Sequence, residues 1–429
     1  MAIEIIQLKD IKKNASFLKV MGAYVQEPNP GVYGLSNDEI LESVDASALY
    51  PTIEILFNIG FETLYGRVYD VGILDNLINL FQAINKNKSN PSVKTQALMA
   101  FDNALSAILK NYTSSHSVSN KSEYIKVNKD LAKKFFEKIS DYIINSKDDN
   151  PLDNLFNPST DQEYFLLRSN FLPLIELISW LSEKNKGYNE MIVTYAYEPE
   201  TFYKKYQGKN IYVFENIHST KLKFRIINFK TDIERENLDN FFQSYILNPY
   251  GTMFIKHKEK LSYNVKENKA GLKRRRIVKN AMLCIEGILD AWDRIDDNIK
   301  DIFLNKSKSL NKGETFKLTE QELYDIFTIV DKGKDPAWRI ASLKDFEFES
   351  SFDDYRSLYA YLTLRAQQLN STQLGIKVTL NSGYGIQGLI TYQYSSPLTA
   401  NSITNGGKIV GIKTFQQIAV NTINKHFKV

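Results

Sequence analysis

Three short constellations carry side chains suited to phosphate chemistry. Arg275 and Lys279 stand four apart in a strongly basic run, and Lys377 and Asn381 repeat that spacing. On a helix an i, i+4 pair shares one face, so each pair could present its polar heads to one polyphosphate. An ordinary solvated helix face has the same composition, and spacing alone does not separate the two. Just beyond, Gly383 and Gly385 flank Tyr384 and would let a backbone or a nucleic acid approach closely. The third constellation is Asp45-Ala46-Ser47-Ala48-Leu49-Tyr50-Pro51-Thr52-Ile53. A carboxylate ending a strand ahead of a helix could hold Mg²⁺ in front of backbone N–H groups that suit a phosphate. Asp45 also reads as a simple N-cap.

These residues need elements to hold them. Residues 41–49 read as a strand running into a helix near Tyr50-Pro51, where proline suits the first turn. Apolar spacing of three and four predicts helices over 71–85, 93–111, 128–146 and 162–184, with a polar linker at Tyr112–Ser122. Residues 191–197 and 210–229 read as strands. Thr231 and Glu234 have capping-box spacing. A long helix is expected over 267–303, then helices near 319–331, 355–370, 371–386 and 400–427. The fold class is therefore α+β and predominantly helical.

The chain has 429 residues, and its 43% hydrophobic and 24% charged composition is that of a globular protein. No long apolar stretch suggests a membrane span, and residues 1–13 lack the apolar core of a signal peptide. Cys284 is the only cysteine, and the four histidines are scattered, so a resident metal should be a hard cation on carboxylates. The net charge is only +4. Yet Lys256–Lys279 holds ten Lys/Arg against Glu259 and Glu267, and the last 29 residues hold four lysines and no acid. Both segments are candidates for meeting phosphate.

Together, D-x-x-x-L-Y-P-T-I (Asp45 to Ile53) and K-x-x-x-N-S-x-Y-G (Lys377 to Gly385) resemble motifs A and B of family B DNA polymerases. The likeness is nearest to the replicative enzymes of T-even-type bacteriophages. Further segments are similar in the same order. They are Gly22–Pro28, Asn58–Thr63, the Asn248-Pro249-Tyr250-Gly251-Thr252-Met253-Phe254 run, and Ile403–Lys408 with its T-x-x-G-basic pattern.

The resemblance implies roles for matching residues. Asp45 would be one of two palm aspartates holding two Mg²⁺ ions, with the Ala46 carbonyl beside it. Ala46, Ser47, Ala48, Leu49 and Tyr50 would line the incoming nucleotide, Tyr50 excluding a ribose 2′-OH. Arg275, Lys279, Lys377 and Asn381 would grip the triphosphate. Tyr384, Gly385, Thr404, Gly407 and Lys408 would meet primer-template DNA. The implied organisation is a palm part with motif A over 1–70 and an insertion of unknown role over 71–244. Fingers with motif B follow over 245–386, then a palm return segment over 387–429. Ala48, where the family has serine, leaves only a backbone N–H there, and Gly383 stands where a larger apolar residue is usual.

The family also needs a second aspartate, in Y-x-D-T-D after motif B. No D-T-D occurs, and Val429 lies 48 residues beyond Asn381. Asp296-Asp297 and Asp353-Asp354 read as helix-surface acids. Asp232-Ile233-Glu234 matches an exonuclease pattern but reads as part of the Thr231 cap. The expectation is thus a subunit of a split DNA-directed DNA polymerase, inactive alone. One partner subunit would bring motif C and thumb, and a separate one could bring the exonuclease. No membrane partner is implied, and the location would be cytoplasmic, in the host if a bacteriophage encodes it. The alternative is a non-catalytic, polymerase-derived nucleic-acid-binding or assembly protein, which predicts decayed triphosphate residues.

Overall fold

A helix that buries one stripe and wets the other needs apolar residues three and four apart, and Ile73–Lys86 supplies them. Leu74, Leu77, Ile78, Phe81 and Ile84 are buried, while Asn76, Asn79 and Gln82 between them are exposed. That rule, repeated, builds most of the computed structural model. It describes residues 48–69, 72–115, 120–182, 207–228, 243–311, 313–332, 334–350, 352–388 and 396–410, with single positions 200, 204 and 236. The expected strand at 191–197, the Thr231–Glu234 cap with Asp232, the tail of the last helix and Gly22–Pro28 lie outside the described residues, as do Asp45, Ala46 and Ser47.

The chain divides into two compact units, Met1–Val265 with Tyr384–Val429, and Lys266–Gly383. Among the described residues the first unit opens with helix α1 (Leu49–Phe57) and strand β1 (Leu64–Tyr69). Helices α2 (Ile73–Lys86), α3 (Val93–Ser115), α4 (Lys121–Asn145), α5 (Pro151–Phe156) and α6 (Asp161–Leu166) follow. A π-helical turn at Leu167–Phe171 leads into α7 (Leu172–Leu181). Strands β2 (Asn210–Glu215), β3 (Lys223–Asn228), β4 (Tyr245–Leu247) and β5 (Thr252–Ile255) complete an antiparallel sheet of order β3-β2-β1-β5-β4. The second unit holds most of α8 (Tyr263–Asp290), then α9 (Asp297–Lys308), α10 (Glu320–Val330) and α11 (Ala337–Leu343). It also holds the ribbon of β6 (Thr315–Phe316) with β7 (Phe348–Glu349), and most of α12 (Tyr355–Gly388). A last described helix, α13, covers 397–410. The class is α+β and mainly helical.

One hydrophobic core runs through the first unit, from Ile53 of α1 through α2 to α7 and the sheet to Ile403 of α13. Its centre is aromatic: Phe81 stacks on Phe136, which stacks on Phe101, while Phe171 packs edge-on to Phe224. Each such ring removed from water contributes roughly 2 kcal/mol. The described part of 71–244 therefore shares its core with the segments on either side of it. The second unit has its own core around Cys284, Ile285, Phe303, Leu323, Phe327, Phe348 and Leu362.

Several elements differ from the sequence expectations, each for a local reason. The supposed linker at Tyr112–Ser122 continues α3 through Ser115, and the Thr113 and Ser114 hydroxyls are satisfied by donating back to the Lys110 and Asn111 carbonyls. Tyr112 also packs on Trp180. Helix α4 begins at Lys121, where the Asn120 side chain accepts from the Glu123 N–H. The expected 162–184 helix is interrupted by the π turn. The 267–303 helix breaks at Ala291–Asp296, where Asp296 caps α9 by accepting from the Asn298 N–H. Asp354 likewise accepts from the Ser357 N–H at the start of α12, so both acids act as caps. The two helices expected over 355–386 are one, α12.

Candidate functional site

The first helical segment of the motif-A stretch is set by an unusual start. Its N-cap position falls on Ala48, not Asp45, and Ala48 has φ 63 and ψ 53, the left-handed region that a residue with a Cβ rarely enters. The Thr52 hydroxyl donates to the Ala48 carbonyl at 3.0 Å, fastening the turn. Leu49 and Tyr50 then stand half-buried in the first turn of α1, and Pro51 sits where its missing N–H leaves nothing unsatisfied. At the other end Asn58, also left-handed, donates to the carbonyls of Ile255 and Lys260 and accepts from the Ser262 N–H. The helix is thus tied to the chain segment after β5.

Two distant segments meet α1. Tyr384, near the end of α12, packs its ring on Tyr50 with centroids 4.5 Å apart and planes tilted by 32°. Burial raises the Tyr384 hydroxyl above the usual phenol pKa, and neighbouring Tyr50 adds to the effect. From α13, Gly407 faces the same turn. A Cβ there would stand 3.5 Å from Leu49 Cδ2 and 3.6 Å from Tyr50 Cε1. At Gly406 a Cβ would meet Ile53 Cγ2 at 2.7 Å, so the close approach of α13 to α1 requires glycine. The Thr404 hydroxyl is buried and donates within its own helix, to Ala400 and Asn401 carbonyls. Lys408 is exposed, as is Gly385, which has open space around it.

A fourth segment locks α13 in place. In the β4–β5 turn, Asn248 accepts from the Tyr250 N–H, and Gly251 has φ 88. The Asn248 amide donates to the Ser402 carbonyl at 3.1 Å, and the Thr252 and Ser402 hydroxyls lie 2.6 Å apart. Below the turn, the Arg67 guanidinium lies 3.9 Å from the Tyr250 ring centroid and pairs with Glu176, which also accepts from the Tyr69 hydroxyl. Burial, then the Glu176 charge, push the Tyr69 hydroxyl well above its ordinary pKa. Sequence reasoning missed Arg67, Glu176 and Gln387. An arginine in a strand of apolar residues was the available signal for the first, since such a charge must be paired.

In the second unit the four expected triphosphate residues lie on α8 and α12. Gly271 packs on Leu380, and the Arg275 Nε donates to Gln373 Oε1 at 3.3 Å. The two helices therefore run in opposite directions, and Lys377 lies about 2–6 Å along the axis from the level of Arg275. Lys279 and Asn381 diverge from that level in opposite directions, about 14–18 Å apart along the axis. Arg275 and Lys377 are half-buried, and Lys279 and Asn381 are exposed. Among the described residues the ion pairs of this unit lie elsewhere, for example Arg339 with Asp331 and Lys306 with Glu322.

No group of three His, Cys, Asp or Glu side chains suited to a metal occurs among the described residues. None of their helices is long and apolar enough to cross a membrane. No family model matches the chain, and no curated protein or solved structure is similar to it.

Proposed function

We propose that this chain is a subunit of a split DNA-directed DNA polymerase, contributing one palm aspartate, the sugar-discriminating tyrosine and the fingers cations. The observation that carries this reading is the convergence of Leu49 and Tyr50 with Tyr384 and Gly407. These residues come from three remote segments, and each segment was singled out by its likeness to the same family. Chance likenesses have no reason to pack on one another.

In this reading the first turn of α1 is a floor for the nucleotide sugar. The half-buried Tyr50 ring, held by Tyr384, is a rigid wall against which a 2′-OH would collide. Its position is fixed by packing, which is what discrimination by shape needs. Arg275 and Lys377, on facing helices, are respectively fork and point donors for phosphate oxygens. Lys279 and Asn381 extend that donor set in opposite directions. Fixed cations of this kind stabilise charge that develops on a leaving pyrophosphate.

The Mg²⁺ expectation rests on Asp45 and the Ala46 carbonyl, outside the described residues, and the described residues do not form a metal site by themselves. Bound between Asp45 and a partner's carboxylate, the ions would acidify the primer 3′-OH and stabilise in-line displacement.

The test is primer extension with purified protein. The chain alone should not extend a primer, because one carboxylate does not hold two ions. It should gain activity with a co-purifying chain that carries the second aspartate, and Asp45→Ala should abolish that activity. Extension by the single chain, lost on Asp45→Ala, overturns the split arrangement. Absence of any palm-bearing partner from the native source likewise overturns the split arrangement.

A further inference from the structure

The resemblance uses one face of α8, that of Arg275 and Lys279. The side of α8 turned away from Arg275 carries a different pattern. Lys266, Lys269, Lys273 and Arg276 follow at intervals of three, four and three, which places all four on one side of the helix. At 100° per residue their mean direction lies about 140° from Arg275. All four are exposed, and the stripe spans about 15 Å. The only acid on this stretch, Glu267, lies on the other side of the helix.

Elsewhere in the unit, among the described residues, five cations stand beside an acid. Lys300 pairs with Asp297, Lys306 with Glu322, Lys317 with Glu347, Arg339 with Asp331 and Arg365 with Glu349. None of the four stripe cations has an acidic partner among the described residues. Four like charges on adjacent turns repel one another, at a cost of a few tenths of a kcal/mol per pair. An external polyanion would relieve that repulsion.

We propose that this outer face of α8 binds the phosphate backbone of duplex nucleic acid, as a track turned away from Arg275 and bordered at its C-terminal end by Lys279. Three features choose the occupant. The charges repeat every turn, at about 5 Å, close to the spacing of successive phosphates along a strand. The stripe itself contains no aromatic side chain and only Tyr263 stands beside it, short of the row of stacking platforms that single strands use. Ile277 and Tyr263 are the exposed apolar side chains beside it, too few for the buried face of a membrane-surface helix. Recognition here is by charge alone and carries no sequence preference.

The test measures binding of the full chain to a fluorescent DNA hairpin duplex across salt concentrations, independently of primer extension. Each neutralised phosphate contributes about −0.9 to the slope of log K against log salt. The combined variant Lys266→Gln, Lys269→Gln, Lys273→Gln, Arg276→Gln should show a slope shallower by about three to four. Between 50 and 200 mM salt the unaltered chain should lose about a hundredfold more affinity than the variant. A control neutralises four exposed lysines of the same unit, Lys308→Gln, Lys317→Gln, Lys334→Gln and Lys344→Gln, and should leave the slope near that of the unaltered chain. The proposal fails if the control loses as much as the stripe variant, or if the stripe variant keeps the full slope. It also fails if a single-stranded oligonucleotide or phosphatidylserine vesicles compete better than duplex. A chain that binds duplex through the stripe but never supports extension would sink the polymerase reading and leave this one standing.

Discussion

The Gln387 carboxamide donates a 3.0 Å hydrogen bond to the Glu54 carboxyl, and both side chains are buried. The bond joins α1 to the end of α12 across most of the chain's length. Glu54→Ala leaves the Gln387 amide without that acceptor in a site water does not reach, and such an orphaned group costs about 1–3 kcal/mol. Urea unfolding should show a lower midpoint for Glu54→Ala, and a smaller loss for Glu54→Gln, which keeps an acceptor oxygen.

Gly406 and Gly407 are neighbours with different tolerances. Alanine at 406 would drive a methyl to within 2.7 Å of Ile53 and 3.2 Å of the Asn248 amide, while at 407 the nearest atom is 3.5 Å away. Overpacking of the first kind costs about 1–3 kcal/mol. Gly406→Ala should therefore lower the melting temperature by several degrees and Gly407→Ala should change it little. Equal losses would contradict the packing described.

Cys284 is fully buried against the Arg339 carbonyl, and burial pushes its thiol pKa from 9.0 up to about 11. The folded thiol thus keeps its proton at neutral pH, and the thiolate is the reactive form. In native buffer a disulfide reagent should label no cysteine within minutes, and one equivalent should react in denaturant. The unfolded thiol ionises first as pH rises, so the native state loses stability between about pH 9 and 11, and Cys284→Ala should flatten that loss.

Glu163 is buried, which alone would raise its carboxyl pKa, but N–H donors from Ser159 and Thr160 and the Thr160 and Tyr142 hydroxyl interactions outweigh burial and lower it. A depressed carboxyl stabilises above its unfolded pKa and loses that contribution as pH falls through its folded one. Glu163→Gln should cost about 1 kcal/mol at pH 7, the usual worth of a cap. The difference from the unaltered chain should shrink below pH 4, as chemical denaturation at both pH values will show.

The parts legible in the sequence were those with local causes. The helix over 71–85 announced itself through spacing, and Thr319 with Glu322 forms a capping box just where a helix near 319 was expected. Pro51 and the Asn248-Pro249-Tyr250-Gly251 turn behave as their backbone chemistry dictates. What stayed hidden has distant causes. Strand β1 is six residues with a glycine at Gly66, where a Cβ would collide with the Phe214 carbonyl, and only its two partner strands make it a strand. The single α12 helix shows little amphipathic pattern along its length, which leaves its continuity illegible in spacing. Of the site, the residue types were visible and their meetings were not. Nothing in the spacing of Tyr50 and Tyr384 says that their rings touch.

Strand β1 also sets a timetable. It is the centre of its sheet, yet Val68 pairs with Val213 on one side and Leu64 with Phe254 on the other. On a ribosome adding about 5–20 residues per second, β1 waits some tens of seconds for its last neighbour. Helices α2 to α7 emerge in that interval and can collapse on their own phenylalanines first. Until β5 arrives, one edge of β1 stands open, and newly made chains of this protein are most exposed to wrong pairing during that interval.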